Sequence, residues 1–554
     1  MLLQKQIICT LLLTTAMMFP ASVLGLDISL DANQPEGLEL LDFSLKTSDL
    51  SMAGDIHFST FLGGEENEHS PNVAMLSVGG VTTDSSGNII SVGRSSSSDY
   101  PLKDALQSNN SGGFDLAITK FNPSGEILFS TLYGGSGDDW GAEVVCDSED
   151  NILVVGTTES SDFPLVNALY DTFKGGGVYN LDLFVLKMSS NGIVLFSTYL
   201  GGTADDWGYG IAVDSSDNIA VTGSTYSYNI PLVNAHQETH GQAGVDGYLT
   251  VLSSDGQVVI FSTLIGGDGN DWGKSVTVDG NDDFVVAGGA ARDSFPTYNA
   301  FQSSYQGGSF DCVVLKFSSN GTLLFSTFLG GNSDDRAYTV TTSQNNEIFV
   351  VGQTSSTDFP TTTNAYQTER NDMLGDGYLT RIKPDGSSIA YSSYVGGNGF
   401  DAIHDLTVDE EGRVYLIGET SSSDYSFTMG EAYHGGTDLL FACIEANDSL
   451  SVLSYFGGVT NDYGRSVALT SDIEPILFGF TDSKNFPAQN AVQNVIGGSY
   501  DMFVVKYYPL FPPKTTETTT DPTTDQNSSS PGFEMVFMVL GLIFLSMGHL
   551  IRRN

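Results

Sequence analysis

One heptapeptide recurs seven times along the 554-residue chain, and its spacing limits the folds that the chain can adopt. The pattern is Phe-Ser-Thr-x-x-Gly-Gly, worn in the last two copies, and the copies begin at Phe58, Phe129, Phe196, Phe261, Phe325, Tyr391 and Val452. Successive copies start 61 to 71 residues apart. Such a period indicates one structural unit repeated in space, because a short unit buries its apolar face only against its neighbours.

Each repeat carries the same order of short apolar runs. After Gly-Gly comes an acidic turn, followed by two strand-like runs such as "GYGIAVD" and "IAVTGST" and, beyond a long link, a third run such as "DLFVLKMSS". An Asn-Gly or Asp-Gly pair then leads back into the heptapeptide, and such pairs favour two-residue antiparallel hairpins. Four strands per unit and no helical periodicity predict an all-β fold, a seven-bladed β-propeller of four-stranded blades.

The ends of the repeat region predict how the ring closes. The chain enters on an outer strand, "DIHFSTFLGG", and leaves on a third strand, "DMFVVKYYP". We therefore expect the first strand to complete the last blade, so that N- and C-terminal sequence pair in one sheet across residues 55–509. This closure removes a free sheet edge, whereas an open solenoid would need capping repeats.

The start of the chain has the pattern of an export signal. Residues 1–25 join Lys5 to an apolar run and then to small residues, as in a secretory signal peptide, and residues 26–54 lead into the propeller. Sequons for N-glycosylation suit an exported chain, and they begin at Asn109, Asn320, Asn447 and Asn527.

The other end has the pattern of an anchor. Residues 510–530 are rich in Thr, Pro and Ser and predict an extended, glycosylated stalk. Residues 531–554 hold an apolar run closed by Arg552 and Arg553, which predicts a single C-terminal transmembrane helix with its basic end in the cytoplasm. The propeller is then expected on the extracellular face of the cell membrane.

The charge balance restricts the classes of partner. The chain has 67 acidic against 21 basic residues, a formal net charge of −46. Nucleic acids and anionic membrane surfaces need a basic footprint, so we expect neither as a partner, and the membrane is contacted through the anchor only. Outside the signal, cysteines occur in strand-like runs at Cys146, Cys312 and Cys443, and this irregular odd set predicts free thiols.

An aspartate recurs after the double glycine in six repeats and is the candidate metal ligand. The positions are Asp139, Asp206, Asp271, Asp335, Asp401 and Asp462, and Glu65, Glu66 and Glu68 stand near the seventh. A ring of carboxylates would suit Ca²⁺, which prefers oxygen ligands. The alternative, which the sequence favours, is that each aspartate accepts backbone N–H bonds in its own tight turn.

The residue after this aspartate is the candidate ligand-binding position. All three tryptophans of the chain stand there, at Trp140, Trp207 and Trp272. Aromatic residues at this place are expected to pack between blades, but three in succession could also form a stacking platform for a sugar. The motif is therefore interpreted first as part of the fold, with blade-specific residues as the functional part.

The string "GGxxxDDWGxxIAVDSSDNIAVTGSTxS", with the later "DFPxxNAxQ", resembles the SBBP family of β-propeller repeats. Members are large secreted and surface proteins of bacteria and archaea, and the resemblance implies the fold but little about activity. The first copy departs from the pattern, with "GGEENEHSPN" in place of the acidic turn. The tail from Pro531 through Gly532 and Phe533 is similar to archaeal sorting signals, which implies exchange of the helix for a lipid.

Three functions remain open from the sequence. The first is a non-catalytic module that binds surface glycans or proteins in adhesion, through the face that bears the long links. The second is an extracellular polysaccharide lyase or hydrolase on the same face, which should concentrate non-repeating His, Tyr or acidic residues on one or two blades. The third is an envelope scaffold that associates with itself. The histidines are scattered over the repeats, which favours the first and third functions.

Overall fold

The computed structural model describes residues 55–68, 79–241, 244–370, 374–426 and 432–511. The segments predicted to be the signal peptide, the lead, almost all of the stalk and the anchor lie outside these residues. The chain divides into two compact units, Met1–Pro512 and Pro513–Asn554, and every described residue belongs to the first. The described residues form strands and no helix, so none of them belongs to a helix that could cross a membrane.

The strands form seven four-stranded antiparallel sheets, numbered here as blades 1 to 7. Blade 1 comprises β2 (Gly80–Thr83), β3 (Ile89–Ser95), β4 (Asp115–Phe121) and β5 (Ile127–Tyr133). Blade 2 comprises β6 (Asp139–Cys146), β7 (Ile152–Thr158), β8 (Asp182–Met188) and β9 (Val194–Leu200). Blade 3 comprises β10 (Asp206–Val213), β11 (Ile219–Thr225), β12 (Asp246–Leu252) and β13 (Val259–Ile265). Blade 4 comprises β14 (Asp271–Val278), β15 (Phe284–Ala290), β16 (Asp311–Phe317) and β17 (Leu323–Leu329). Blade 5 comprises β18 (Asp335–Thr342), β19 (Ile348–Thr354), β20 (Asp376–Ile382) and β21 (Ile389–Val395). Blade 6 comprises β22 (Asp401–Val408), β23 (Val414–Thr420), β24 (Asp438–Ile444) and β25 (Leu450–Phe456). Blade 7 comprises β26 (Asp462–Leu469), β27 (Pro475–Thr481), β28 (Asp501–Tyr507) and β1 (Ile56–Leu62).

The ring closes as the sequence predicts. Strand β1 pairs antiparallel with β28, with Phe61 opposite Phe503 and Leu62 opposite Met502, and so supplies the outer strand of blade 7. The first strand of each blade contacts the first strand of the next, and β2 of blade 1 contacts β26 of blade 7. The seven-bladed propeller with terminal closure is thus confirmed.

The core consists of the layers between adjacent blades. The second and third strands are buried along their whole length, as in β7 and β8, because each blade is packed between two others. Side chains on both faces of β7 are therefore apolar: Val154 packs in the cluster that includes Ile90 of blade 1, and Val155 in the cluster that includes Val221 of blade 3. This two-sided burial explains why the strands appear in the sequence as continuous apolar runs.

The hairpins that follow the third strands are longer than the two-residue turns that the Asn-Gly pairs predict. In the hairpin between β8 and β9 of blade 2, only Gly192 has a positive φ, at 83°, and the Ser189 N–H donates to the Ile193 carbonyl over 2.8 Å. The strand register shifts between Lys187 and Met188. The turn is thus a type I turn followed by a left-handed glycine that forms a β-bulge, which also joins antiparallel strands.

The long links lie differently from the prediction. They were expected to crowd one face, yet each described link also runs along the outer strand of its own blade. In blade 2, Val166 forms an antiparallel bridge with Ser197 of β9, and the Tyr170 N–H donates to Thr198 Oγ1 over 2.9 Å. Outer strands have unpaired backbone groups, and the link satisfies part of them and covers the edge. Only part of each link is therefore left to form a binding face.

A buried lysine forms an ion pair within its own blade and a hydrogen bond to the next blade. Lys187 Nζ of blade 2 lies 2.8 Å from Asp147 Oδ2 and donates a hydrogen bond of 2.8 Å to the Ser254 carbonyl of blade 3. Asp147 also accepts the Glu149 and Asn151 N–H groups of its own turn. The lysine thus compensates a buried carboxylate and links two blades.

Candidate functional site

The six repeated aspartates each stand at the first position of an innermost strand, and each is buried. Asp139 Oδ2 accepts the Gly135 N–H over 2.7 Å and the Ser160 hydroxyl over 2.7 Å, and Asp139 Oδ1 accepts the Thr158 hydroxyl. These donors belong to the connection before the strand and to the second strand of the same blade. The carboxylate thereby fixes the turn that leads into each blade.

The same set of donors recurs with one exception. A glycine N–H and a serine hydroxyl bond the carboxylate of Asp206, Asp335, Asp401 and Asp462. Asp271 instead accepts the N–H groups of Gly267 and Ala291, because Ala290 stands where blade 2 has Thr158. In the described part of the chain no three His, Cys, Asp or Glu side chains converge as a metal cluster.

Glu68 completes the set at the junction of blades 7 and 1. Its Oε1 accepts the Gly64 N–H over 3.3 Å, the Ser95 hydroxyl over 2.8 Å and the Ser97 hydroxyl over 2.6 Å. These donors match the glycine, threonine and serine that bond Asp139. Of the three glutamates that the sequence offered for this place, Glu68 occupies it, whereas Glu65 and Glu66 are exposed.

A second carboxylate faces each of these groups from the preceding blade. It is the first residue of every third strand, and all seven are buried: Asp115, Asp182, Asp246, Asp311, Asp376, Asp438 and Asp501. A Cβ added at Gly134 would lie 2.7 Å from Asp115 Oδ1 and 2.7 Å from Asp139 Oδ2. Two carboxylates likewise lie beside the position of an added Cβ at Gly63, Gly201 and Gly330, so these first glycines of Gly-Gly are required by the carboxylate pairs.

Burial dominates the electrostatics of these pairs. It raises the pKa of Asp115 to about 6 and that of Asp139 to about 6, and each neighbouring carboxylate adds to the effect in Asp115. In the next junction burial raises the pKa of Asp182 to about 7 and that of Asp206 to about 6. Two buried like charges destabilise each other unless a proton or a cation neutralises one of them.

The three tryptophans lie at the same blade position but differ in exposure. Trp140 and Trp207 are buried, and both belong to one apolar cluster, whereas Trp272 is half-buried against Phe310, with ring centroids 4.7 Å apart. A Cβ at Gly289 would strike the Trp272 ring, so this glycine makes room for it. The rings of Trp140 and Trp207 thus face protein rather than solvent.

Two exposed tyrosines flank Trp207, and we call these three residues the tyrosine patch. Tyr179 is 63% exposed with its ring centroid 6.0 Å from that of Trp207, and Tyr226 is 42% exposed at 5.7 Å. Asp205, the first aspartate of the "DDW" sequence, holds this surface in place: its Oδ2 accepts the Val178 N–H over 2.7 Å, and its carbonyl accepts the Tyr226 N–H over 3.0 Å.

A second group of non-repeating side chains surrounds the central axis. Each innermost strand of blades 2 to 7 has a β-bulge three residues after its aspartate, and the extra residues are Ala142, Tyr209, Lys274, Tyr338, His404 and Arg465. Blade 1 has glycines here, Gly79 and Gly80. The polar and ionisable side chains at this position are therefore on blades 3 to 7. We call the axial cluster the set formed by Tyr209, Lys274, Tyr338, His404, Arg465 and Glu419.

Members of the axial cluster contact one another across blade boundaries. Lys274 Nζ lies 4.4 Å from the Tyr209 ring, and the Tyr338 ring stacks on His404 with centroids 4.9 Å apart. His404 Nε2 contacts Arg465, and Arg465 Nη1 lies 3.1 Å from Glu419 Oε2. The structure thus brings together an imidazole, two phenols, two cationic groups and a carboxylate in one place.

Burial and neighbouring charges shift the pKa values of this cluster. Burial together with Arg465 lowers the pKa of Lys274 to about 7. Burial alone would raise the pKa of Glu419, but Arg465 and His404 outweigh it and lower that pKa to about 2. Burial, followed by Arg465, also lowers the pKa of His404, so its imidazole is neutral near pH 7. Perturbed groups of this kind, gathered in one place, are typical of functional sites.

Sequence reasoning found the tryptophan position but missed the axial cluster. The signal was present, because the residue three positions after each repeated aspartate changes from blade to blade while its neighbours repeat. Histidines scattered over the chain were interpreted as unrelated, yet His404 meets Arg465 from the next blade, 61 residues later. The three described cysteines are free, as predicted, with Cys312 and Cys443 buried.

The sequence matches to a family model and to a curated protein each cover a part of this chain. The family model for the SBBP β-propeller repeat matches residues 128–164 and 195–231. An uncharacterised WD repeat-containing protein of Acanthamoeba polyphaga mimivirus is 28% identical over 200 residues, which is 29% of this chain and 13% of that protein. The chain therefore aligns with a small part of this curated relative.

Two solved structures align with this chain at low identity and low TM-score. A protein of unknown function from Dyadobacter fermentans aligns over 82% of this chain and 99% of its own, with 13% identity and a TM-score of 0.38. A gluconolactonase from Xanthomonas campestris aligns over 65% and 90%, with 10% identity and a TM-score of 0.28. Likeness at this level carries no inference about activity.

Proposed function

We propose that this chain, a β-propeller with repeats that match the SBBP family model, is a binding module displayed on the outer face of the cell membrane, where the tyrosine patch contacts glycans. The two ends of the sequence support display: a signal peptide, a stalk rich in Thr and Pro, and an anchor segment. Its strongly acidic composition argues against nucleic acid as the ligand.

The observation that carries the proposal is the exposure of Tyr179 and Tyr226 on either side of the buried Trp207 ring. Tyrosines combine an apolar ring face with a hydroxyl, and they lose little conformational entropy on binding, so exposed pairs are typical of recognition surfaces. The Trp207 ring contacts both tyrosine rings, and Asp205 accepts backbone N–H groups of the same surface. This surface is therefore organised before a ligand binds.

The test is binding of the full chain to immobilised cell-surface glycans, with and without a chelator. We expect the double substitution Y179A/Y226A to weaken binding by about tenfold or more, as truncation of aromatic anchors commonly does. Tyr298→Ala is the matched control, because Tyr298 is 52% exposed on the link of another blade. Equal loss in both variants, or binding of proteins but not glycans, would contradict the proposal. Concentration-dependent self-assembly without glycan binding would favour the scaffold function.

The axial cluster supports a second candidate, an enzyme that cleaves acidic polysaccharides by elimination. Lys274 and Arg465 could neutralise a sugar carboxylate, while Tyr338 or His404 removes the proton from the adjacent carbon and the glycosidic oxygen leaves with a proton. The test is the ultraviolet absorbance of the new carbon–carbon double bond in uronate polymers. This function requires His404→Ala to abolish the signal, with the exposed His434→Ala as control.

A further inference from the structure

The junctions between blades contain paired carboxylates whose charge is not balanced. Three of them are alike: Asp115 faces Asp139, Asp182 faces Asp206, and Asp311 faces Asp335. All six residues are at most 1% exposed. Among the described residues, no Lys, Arg or His forms an ion pair with any of these carboxylates. Buried anions without a counter-charge are strongly unfavourable, so each pair requires a neutralising group.

At least one carboxylate oxygen in each pair is buried without a hydrogen-bond donor. Asp115 Oδ2 accepts the Ser111 N–H over 2.8 Å, but Asp115 Oδ1 is buried and has no hydrogen-bond donor. The same holds for Oδ1 of Asp182 and of Asp311. A Cβ at Gly330 would lie 3.2 Å from Asp311 Oδ1 and 2.8 Å from Asp335 Oδ2, so this bare oxygen is close to the second carboxylate.

The junction of blades 3 and 4 shows the need for a counter-charge in a different way. There His240 Nδ1 lies 3.9 Å from Asp246 Oδ1, which is the equivalent of the bare oxygens. The imidazole is 1% exposed and is held by contacts of its two ring nitrogens with the carbonyls of Gly241 and Thr225. The chain thus brings a basic side chain within 4 Å of this carboxylate, whereas no such ion pair is formed at the three junctions above.

We propose that the junctions Asp115–Asp139, Asp182–Asp206 and Asp311–Asp335 each bind one Ca²⁺ ion between their two carboxylates. Ca²⁺ is a hard cation that takes carboxylate and backbone carbonyl oxygens, and two carboxylates balance its charge. This places the cations between adjacent blades, one to a junction, and not in a ring on the central axis. Because each ion joins residues of two blades, binding stabilises the assembled propeller over the unfolded chain.

The experiment counts bound ions and follows thermal stability in the full chain. Equilibrium dialysis against Ca²⁺ on the order of 10⁻³ M suits the affinity of extracellular calcium modules. We expect Ca²⁺ to raise the Tm of the wild-type chain, and chelation to lower it. The triple variant D115N/D182N/D311N keeps the side-chain shape but removes one charge from each site, and it should lose about three bound ions and most of the Tm response.

Asp162→Asn is the matched control, because Asp162 is an exposed aspartate on the link between β7 and β8, and its Oδ1 only accepts the N–H and hydroxyl of Ser136. This control should keep the wild-type ion count. If the triple variant does not fold, single substitutions at each junction are compared, each expected to remove about one ion. An unchanged ion count in the triple variant would overturn the proposal. So would a wild-type Tm that is insensitive to Ca²⁺ but rises on acidification, since a shared proton would then neutralise each pair.

Discussion

Glu68 faces Asp501 across Gly63 at the junction where the last blade meets the first. A Cβ at Gly63 would lie 2.7 Å from Glu68 Oε2 and 2.7 Å from Asp501 Oδ1, the same geometry that Asp139 and Asp115 show around Gly134. The closure of the ring therefore repeats the carboxylate pair of the other junctions, although it joins residues 433 positions apart in the chain.

Glu68 should make the stability of the closed propeller ring depend on pH. Burial, together with the nearby Asp501, raises the pKa of Glu68 to about 8 from an ordinary value of 4.5. Between these two pKa values the folded chain holds a proton that the unfolded chain has lost. The contribution of Glu68 to folding stability is therefore favourable at low pH and is lost as pH rises through about 8. Glu68→Gln should therefore raise Tm relative to wild type at pH 8 more than at pH 5. The exposed Glu65→Gln is the control, and a pH-independent difference would contradict the assignment.

Gly134→Ala should destabilise the propeller, because the new Cβ would enter the space between two buried carboxylates. Overpacking of this kind costs about 1–3 kcal/mol of unfolding free energy. Denaturant unfolding measures it. Gly80→Ala is the control, because a Cβ there would have its closest neighbour at 3.6 Å, an ordinary contact. Similar losses of unfolding free energy in both variants would show that the buried carboxylates are not the reason why position 134 requires glycine.

Lys187→Met should cost more than its surface area suggests, because it leaves the Asp147 carboxylate buried and unpaired. Breaking a buried pair commonly costs about 3–5 kcal/mol. Adding Asp147→Asn should recover part of the loss, and a double-mutant cycle by denaturant unfolding measures the coupling. Burial alone would raise the pKa of Asp147, but bonds from Lys187 and Asn151 outweigh it and lower the pKa. Additive effects of the two substitutions would refute this coupling.

Arg465→Met should make the chain less resistant to acid. Arg465 and His404 keep the pKa of Glu419 at about 2 against the opposing effect of burial, so Glu419 stabilises the fold above pH 4.5 and loses that contribution only as pH falls through about 2. Without Arg465, Glu419 takes up its proton at higher pH. The midpoint of acid unfolding should move upward, whereas Arg292→Met at an exposed position should leave it unchanged. No upward movement would argue against an Arg465–Glu419 pair.

Repetition made the fold accessible from the sequence. The heptapeptide at Phe58 and the terminal strand "DMFVVKYYP" were sufficient to predict closure of blade 7, because strand order follows from counting the repeats. The prediction was wrong about the Asn-Gly turns and incomplete about the links. Gly192 forms a bulge, and Val166 pairs with an outer strand, since the twist of a blade and its open edge appear only in three dimensions.

By itself the sequence determined that the chain folds as a seven-bladed β-propeller and that the "DDW" turn recurs within it, because periodicity and turn chemistry are local properties. Tertiary structure alone decided which side chains meet: Tyr338 with His404, Arg465 with Glu419, and Asp115 with Asp139. Each of these contacts joins residues from different blades or distant strands. Ring closure sets their distances, and no short-range pattern in the sequence contains that geometry.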